Sequence, residues 1–137
     1  MQYWLLKTEP EEWSWQDQQK SGRSGAEWNG VRNYQAKNNL KKMKVGDKCF
    51  FYHTGEEKSI VGIVKVTKKA FLDKSDKSNK FLSVVVQALY PLKREVGLKE
   101  IKKNKVFRDF SLVKQSRLSV MKVDLKYWKK ICKMGNV

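Results

Sequence analysis

The sequence predicts an α+β fold, and three observations carry that reading. The middle of the chain holds runs rich in β-branched and aromatic residues, at 48–53, 60–66 and 81–90, which favour pleated backbone. Shorter segments with helix start signals and helical apolar spacing flank and interrupt them, near 14–20, 33–43, 98–104 and 124–132. No internal repeat, linker or low-complexity tail divides the 137 residues, a length that suits one domain, spanning 1–137, and falls short of two ordinary ones.

In chain order, Tyr3-Trp4-Leu5-Leu6-Lys7 is apolar without alternation and reads as a buried central strand, ended by Thr8-Glu9-Pro10. Lys7 and Thr8 emerge where that strand stops. Ser14 and Asp17 have the spacing of a capping box, and Trp13 and Trp15 read as packing residues at the helix entry. Residues 21–25, Ser-Gly-Arg-Ser-Gly, read as a flexible loop. Asn33 is placed to cap a helix whose apolar face is Ala36, Leu40 and Met43. Strands 48–53 and 60–66 pair as a hairpin, and Gly62 marks either a bulge or a close approach by backbone or ligand. Residues 73–80 form an exposed lysine-rich loop suited to meeting phosphates, and Pro91 ends the strand at 81–90. Asp124 caps a last helix with Leu125, Trp128, Ile131 and Cys132 on one apolar face.

Composition narrows the function classes. The net charge is +16, yet residues 1–40 hold five Lys/Arg and five Asp/Glu, so the whole excess lies beyond them. Scattered lysines attract a polyanion, or serve solubility alone, while a locally neutral segment reads something else. Cys49 and Cys132 are far apart and the chain has one histidine, so no zinc-ligand spacing is present and no metal or cofactor is expected. Both cysteines sit among apolar residues, as small buried hydrophobes do. No apolar run approaches the roughly 20 residues that span a bilayer, and the first residues lack a secretory leader pattern. The expected setting is cytoplasmic in a bacterium or nuclear in a eukaryote, with no membrane partner; oligomeric state leaves no signature.

One stretch concentrates the groups that read a flat heterocycle. Residues 27–40 bring together Trp28, Arg32, Asn33, Tyr34 and Asn38 with further carboxamides. Carboxamides and guanidinium hydrogen-bond to a base edge, and aromatic rings stack on its faces; the same groups also serve as caps and turn bonds. Trp28-Asn29-Gly30-Val31-Arg32-Asn33-Tyr34-Gln35-Ala36 resembles the hallmark segment of the EVE domain, a PUA-like family. Three further segments agree in order: 3–10, Phe50-Phe51-Tyr52-His53, and 112–120. The resemblance covers nearly the whole chain and implies a PUA-like partly closed β-barrel flanked by short helices.

It also implies a non-catalytic nucleic-acid-binding module that reads a modified base, a modified cytosine or a methylated adenine, in DNA or RNA. In that reading Trp28 and Tyr34 stack on the base, and Lys7, Thr8, Asn33, Asn38 and Ser116 meet its edge. Arg32 or Arg117 holds a phosphate or the pocket frame, Tyr52 and His53 belong to the wall, and Ser116 and Arg117 sit on a strand that closes the barrel. Thr8 stands where the family more often has serine, adding a methyl group. Two alternatives remain: a generic basic RNA-binding or ribosome-associated protein indifferent to modification, and an RNA- or nucleotide-modifying enzyme, for which no catalytic grouping is evident.

Overall fold

In the computed structural model, which describes residues 1–137, the centre is a parallel pair of strands with no face left to water. Strand β1 (Tyr3–Thr8) lies beside β3 (Lys48–His53), with Leu5 opposite Phe50 and Leu6 opposite Phe51. Side chains alternate between the two faces of a strand, and both faces here are covered. Phe50 stacks on Trp128 at 3.9 Å between ring centroids, while Phe51 on the other face meets Trp15 at 5.2 Å and Trp28 at 5.5 Å, both edge-on. Double burial is why β1 and β3 read as continuous apolar runs.

The remaining strands extend this pair. β2 (Ala26–Trp28), β4 (Ser59–Leu72), β5 (Leu82–Gly97) and β6 (Val120–Lys122) complete a six-stranded sheet of order β2-β5-β4-β3-β1-β6, antiparallel except between β1 and β3. Four register shifts along the β4–β5 pair, and one between β3 and β4, add local bend and twist. The sheet curls into a half-barrel.

Helices seal it. In α1 (Trp15–Lys20) the Ser14 hydroxyl accepts from the Asp17 amide at 3.1 Å and the Asp17 carboxylate accepts from the Ser14 amide at 2.9 Å. Asn33 caps α2 (Tyr34–Lys42) by accepting from the Ala36 amide at 2.9 Å, and Ala36, Leu40 and Met43 are buried. Helix α3 (Leu98–Lys103) and the short α4 (Ser111–Lys114) precede β6, and α5 (Leu125–Met134) packs Tyr127, Trp128 and Ile131 inward. No helix is long and apolar enough to cross a membrane.

Several expectations need correction. β5 does not stop at Pro91 but runs to Gly97, because Pro91 sits at a register shift opposite Gly62, where a missing N–H is tolerated. Residues 21–25 are shaped, not loose: a 3₁₀ turn at Gly22–Ser24 leads to Gly25, at φ 71°, pressed so close to Val86 that a Cβ would lie 2.5 Å from its carbonyl oxygen. Leu125 is 50% exposed, so Tyr127 takes its place on the buried face of α5. Ser116 and Arg117 lie in a turn between α4 and β6, not on a strand. Asp73, expected in an exposed loop, is buried.

Gly62 accommodates a ring. A Cβ added there would come within 2.5–2.6 Å of the Trp15 indole. Gly62→Ala should therefore destabilise by about 1–3 kcal/mol through overpacking, read as a melting temperature lowered by several degrees. An unchanged melting temperature would mean that the indole moves aside at no cost.

Candidate functional site

A cleft of about 890 Å³ opens where β1 ends, and five segments of the chain build it. Lys7, Thr8 and Glu9 leave β1; Glu12 and Trp13 come from the entry to α1; Ala26 to Asn33 run from β2 to the cap of α2; Thr54 follows β3; and Ser116, Arg117 and Ser119 come from the turn before β6.

Trp28 is only 7% exposed, its indole pinned edge-on against Phe51. Trp13 is more open, with its Nε1–H donating to Gln18 Oε1 at 2.9 Å; the buried Gln18 side chain donates in turn to the Val86 carbonyl at 3.0 Å. Lys7 Nζ donates to the Ser116 carbonyl at 3.0 Å and lies 5.6 Å from the centre of the Tyr52 ring. Its burial lowers the ammonium pKa below the usual lysine value. The Thr8 hydroxyl donates to the Trp13 carbonyl at 2.9 Å, which commits its proton and leaves oxygen lone pairs as acceptors.

The wall at 29–32 depends on Asp73. This buried carboxylate accepts from the Gly30 amide at 2.8 Å, from Arg32 Nη1 at 3.0 Å, and from the Ser75 amide and hydroxyl at 2.8 and 2.6 Å. Burial pushes its pKa up, but the bonds from Ser75, Gly30 and Arg32 outweigh burial and hold it at about 2. Arg32 also donates to Ser75 Oγ at 3.1 Å and lies 5.4 Å from the Phe81 ring centroid. Asp76 repeats the pattern, accepting from Ser78, Lys80 and Phe81, and the Ser78 hydroxyl leads in holding it below the usual carboxylate range. Lys74, Lys77 and Lys80 thus stand on a shaped loop beside the cleft. Inside, the cations Lys7, Arg32 and Arg117 are matched by Glu9, Glu12 and Glu27. Such a mixed donor and acceptor set suits the edge of an uncharged heterocycle better than a bare phosphate.

Of the residues singled out in the sequence, Lys7, Thr8, Trp28, Arg32, Asn33, Ser116 and Arg117 line this cleft. The others lie elsewhere. Tyr34 is 56% exposed on the outer face of α2, leaning on Phe81 at 5.2 Å between centroids, and Asn38 follows it on the same exposed face. Neither reaches the cleft, because the cap at Asn33 turns the chain outward. Tyr52 lies buried beneath Lys7, and that burial pushes its phenol up to about 12. His53 is buried too, its Nε2 accepting from the Trp15 amide at 3.0 Å and its Nδ1 lying 3.1 Å from Glu57. These two side chains fix the elements around the cleft and do not line it. Sequence reasoning did not single out the cleft residues Glu9, Glu12, Trp13, Glu27, Thr54 and Ser119, nor Asp73 behind the wall. For Asp73 a signal was present: Asp73-Lys74-Ser75 and Asp76-Lys77-Ser78 repeat the spacing of turns closed by an aspartate side chain.

The model of the EVE domain matches residues 2–134. The chain belongs to the EVE domain family. Thymocyte nuclear protein 1 of Mus musculus is 37% identical over 124 residues, which cover 73% of this chain and 55% of the mouse protein; the chain spans about half the length of the curated relatives it matches. A crystal structure from Agrobacterium tumefaciens is 42% identical, with a TM-score of 0.96 over 100% of this chain and 94% of that one. The crystal structure of human THYN1 in complex with 5-methylcytosine-containing DNA is 28% identical, with a TM-score of 0.89 over 100% and 99%. The half-barrel is the PUA-like architecture expected from the sequence.

The Asp73 anchor has a defined pH dependence. Its folded pKa, about 2, lies below the ordinary 3.8, so its stabilisation is complete above about pH 4 and is lost as pH falls toward about 2. Asp73→Asn should cost about 2–3 kcal/mol at neutral pH, as the charge-assisted bonds to Gly30 and Arg32 weaken. The gap between the wild-type and variant melting temperatures should stay constant from about pH 7 to 4 and close below that. A gap independent of pH down to about 2 would remove the carboxylate from this role.

Proposed function

We propose that this EVE chain, taken as one unit over 1–137, captures a modified nucleobase, a modified cytosine or a methylated adenine, from DNA or RNA without catalysing a reaction on it. The observation that carries the reading is the cleft itself: two indoles and a balanced set of donors and acceptors at the open end of the half-barrel. The likeness to THYN1 in complex with 5-methylcytosine-containing DNA, over 99% of that chain, supports it. Trp28 and Trp13 supply the aromatic walls. A glutamate from the set Glu9, Glu12 and Glu27 accepts from an exocyclic amino group, the N4 of cytosine or the N6 of adenine, as carboxylates do on base edges. Lys7 and Arg117 donate to ring or carbonyl acceptors, and Asn33 and Ser116 line the rim. Arg32 is spent on Asp73 and frames the wall.

Unstacking a base costs a few kcal/mol in a duplex and less in a single strand, while stacking on an aromatic contributes about 1–3 kcal/mol. Single-stranded or weakened targets are therefore favoured. His53, the one histidine, is turned toward Trp15 and away from the cleft, which supports binding over catalysis. The cellular setting that fits is the nucleus in a eukaryote and the cytoplasm in a bacterium. The competing reading, a plain basic RNA binder, draws on Lys74, Lys77 and Lys80 beside the cleft.

Trp28→Ala would remove a core residue at a cost of about 3–5 kcal/mol, so Trp13→Ala and Trp28→Phe are the informative variants. With matched single-stranded DNA and RNA carrying cytosine, 5-methylcytosine, 5-hydroxymethylcytosine, adenine or N6-methyladenine, wild type should prefer one modified base at both low and high salt. Trp13→Ala should lower that preference about tenfold or more and leave the salt-sensitive background unchanged. Binding that is uniform across the bases and vanishes with salt would replace the reader by the plain RNA binder.

A further inference from the structure

A second groove, of about 640 Å³, lies at the opposite end of β1 and α2 from the cleft. Its rim carries Lys41, Lys42, Lys44, Lys69 and Lys122, all exposed, and none of the five is within ion-pair distance of a carboxylate. Beneath the floor Asp47 is buried and already accepts from the Gln2 amide at 3.1 Å, Trp4 Nε1 at 3.0 Å and the Lys44 amide at 3.0 Å. Its charge is spent inward. Lys41 and Lys42 complement the helix dipole at the end of α2, but Lys44, Lys69 and Lys122 come from three other segments, and a dipole does not account for their convergence.

The exposed face of α2 joins the two sites. Tyr34, Asn38, Lys41 and Lys42 are spaced as one outward stripe. The stripe begins next to Asn33 in the cleft rim and ends in the lysine groove. Along it Tyr34 is about half exposed, its ring leaning on Phe81 at 5.2 Å and carrying Lys37 Nζ over it at 5.0 Å, an aromatic and a flexible cation that a base and its phosphate can engage once the lysine swings aside. Nine residues of helix span about 13 Å; phosphates recur every 3.4 Å or so of axis along each strand of a stacked duplex and more widely along an extended single strand. About two to four nucleotides bridge the distance, according to how far the strand is extended.

We propose that a nucleic-acid strand runs along the outer face of α2, with a base on Tyr34 and phosphates in the lysine groove, while the modified base occupies the cleft. This rests on the reader assignment for the cleft alone; the backbone contact stands without it. The concave, lysine-rimmed shape fits a strand, whereas a bilayer surface calls for apolar side chains beside the cations, and Met43 in the groove is buried.

The test compares Lys41→Gln/Lys42→Gln/Lys69→Gln with Lys99→Gln/Lys102→Gln/Lys103→Gln on α3, which removes the same charge from exposed positions elsewhere, and adds Tyr34→Ala. The probes are a single-stranded 12-mer bearing 5-methylcytosine or N6-methyladenine, its unmodified counterpart, and the corresponding modified mononucleotides. The groove variant should lose about tenfold in 12-mer affinity, with a salt slope smaller by about 2, and bind the mononucleotide unchanged. Tyr34→Ala should weaken the 12-mer about fivefold or more, again sparing the mononucleotide. The α3 variant should change far less. Equal losses in the groove and α3 variants would overturn the track, as would groove lysines that matter for phosphatidylserine vesicles and not for the 12-mer. If no mononucleotide binds while the groove variant still loses the 12-mer, the base-reading assignment fails and the backbone contact survives.

Discussion

The parallel pairing of β1 with β3 is the constraint from which the site follows. Two parallel neighbours cannot be joined by a tight turn; a crossover of a dozen or more residues is required. Here that crossover is residues 9–47, and it carries α1, β2 and α2. Most of the cleft wall is therefore the connection itself, folded back over the ends of the strands it joins. Because both faces of the pair are buried, Lys7 is the first residue of β1 beyond the fully enclosed run at Trp4 to Leu6, and polar chemistry begins there. The indoles of Trp15 and Trp28 fasten the crossover to Phe51, so the aromatic core that stabilises the sheet also sets the position of the wall.

A buried carboxylate supplies the second fixed point. Isolated charge inside a protein is costly unless its oxygens are fully hydrogen-bonded, and Asp73 meets that condition by recruiting the backbone at Gly30, the guanidinium of Arg32 and both donors of Ser75. Satisfying the charge ties together two segments more than forty residues apart in the chain. The wall at 29–32 and the lysine loop thus behave as one piece. Asp47 does the same at the other end of β1, joining the amino end of that strand to the turn before β3.

Much of this was legible in the sequence where the physics is local. The capping box at Ser14 and Asp17, the cap at Asn33, the hairpin of β3 and β4 and the unalternating run of β1 follow from backbone donors that need partners and from apolar periodicity. The departures have non-local causes. Tyr34 and Asn38 belong to a segment of reading composition, but composition does not say which way a helix turns once its cap is made. Tyr52 and His53 end a strand at whose last positions burial persists, because Lys7 and Trp15 cover them. Asp73 looked solvated because its neighbours are lysines, while the partners that bury it come from residues 30 and 32. Trp13 was correctly tied to the helix entry, yet that packing also makes it a wall, since the helix entry faces the open end of the barrel.

The loop at 73–81 keeps its shape through Asp73, Ser75, Asp76 and Ser78, and its lysine side chains take no part in that framework apart from the 3.9 Å approach of Lys74 to Glu27. Positions 74, 77 and 80 are consequently free to drift among charged and neutral residues without disturbing the wall of the cleft. Under the proposed reading, attraction to a polyanion sits on the lysines of this loop, and discrimination among bases sits in the cleft whose wall Asp73 braces. In that reading a lineage carrying this domain can retune how tightly it would hold any strand, for a saltier or more crowded cell, while the geometry of the cleft is inherited intact.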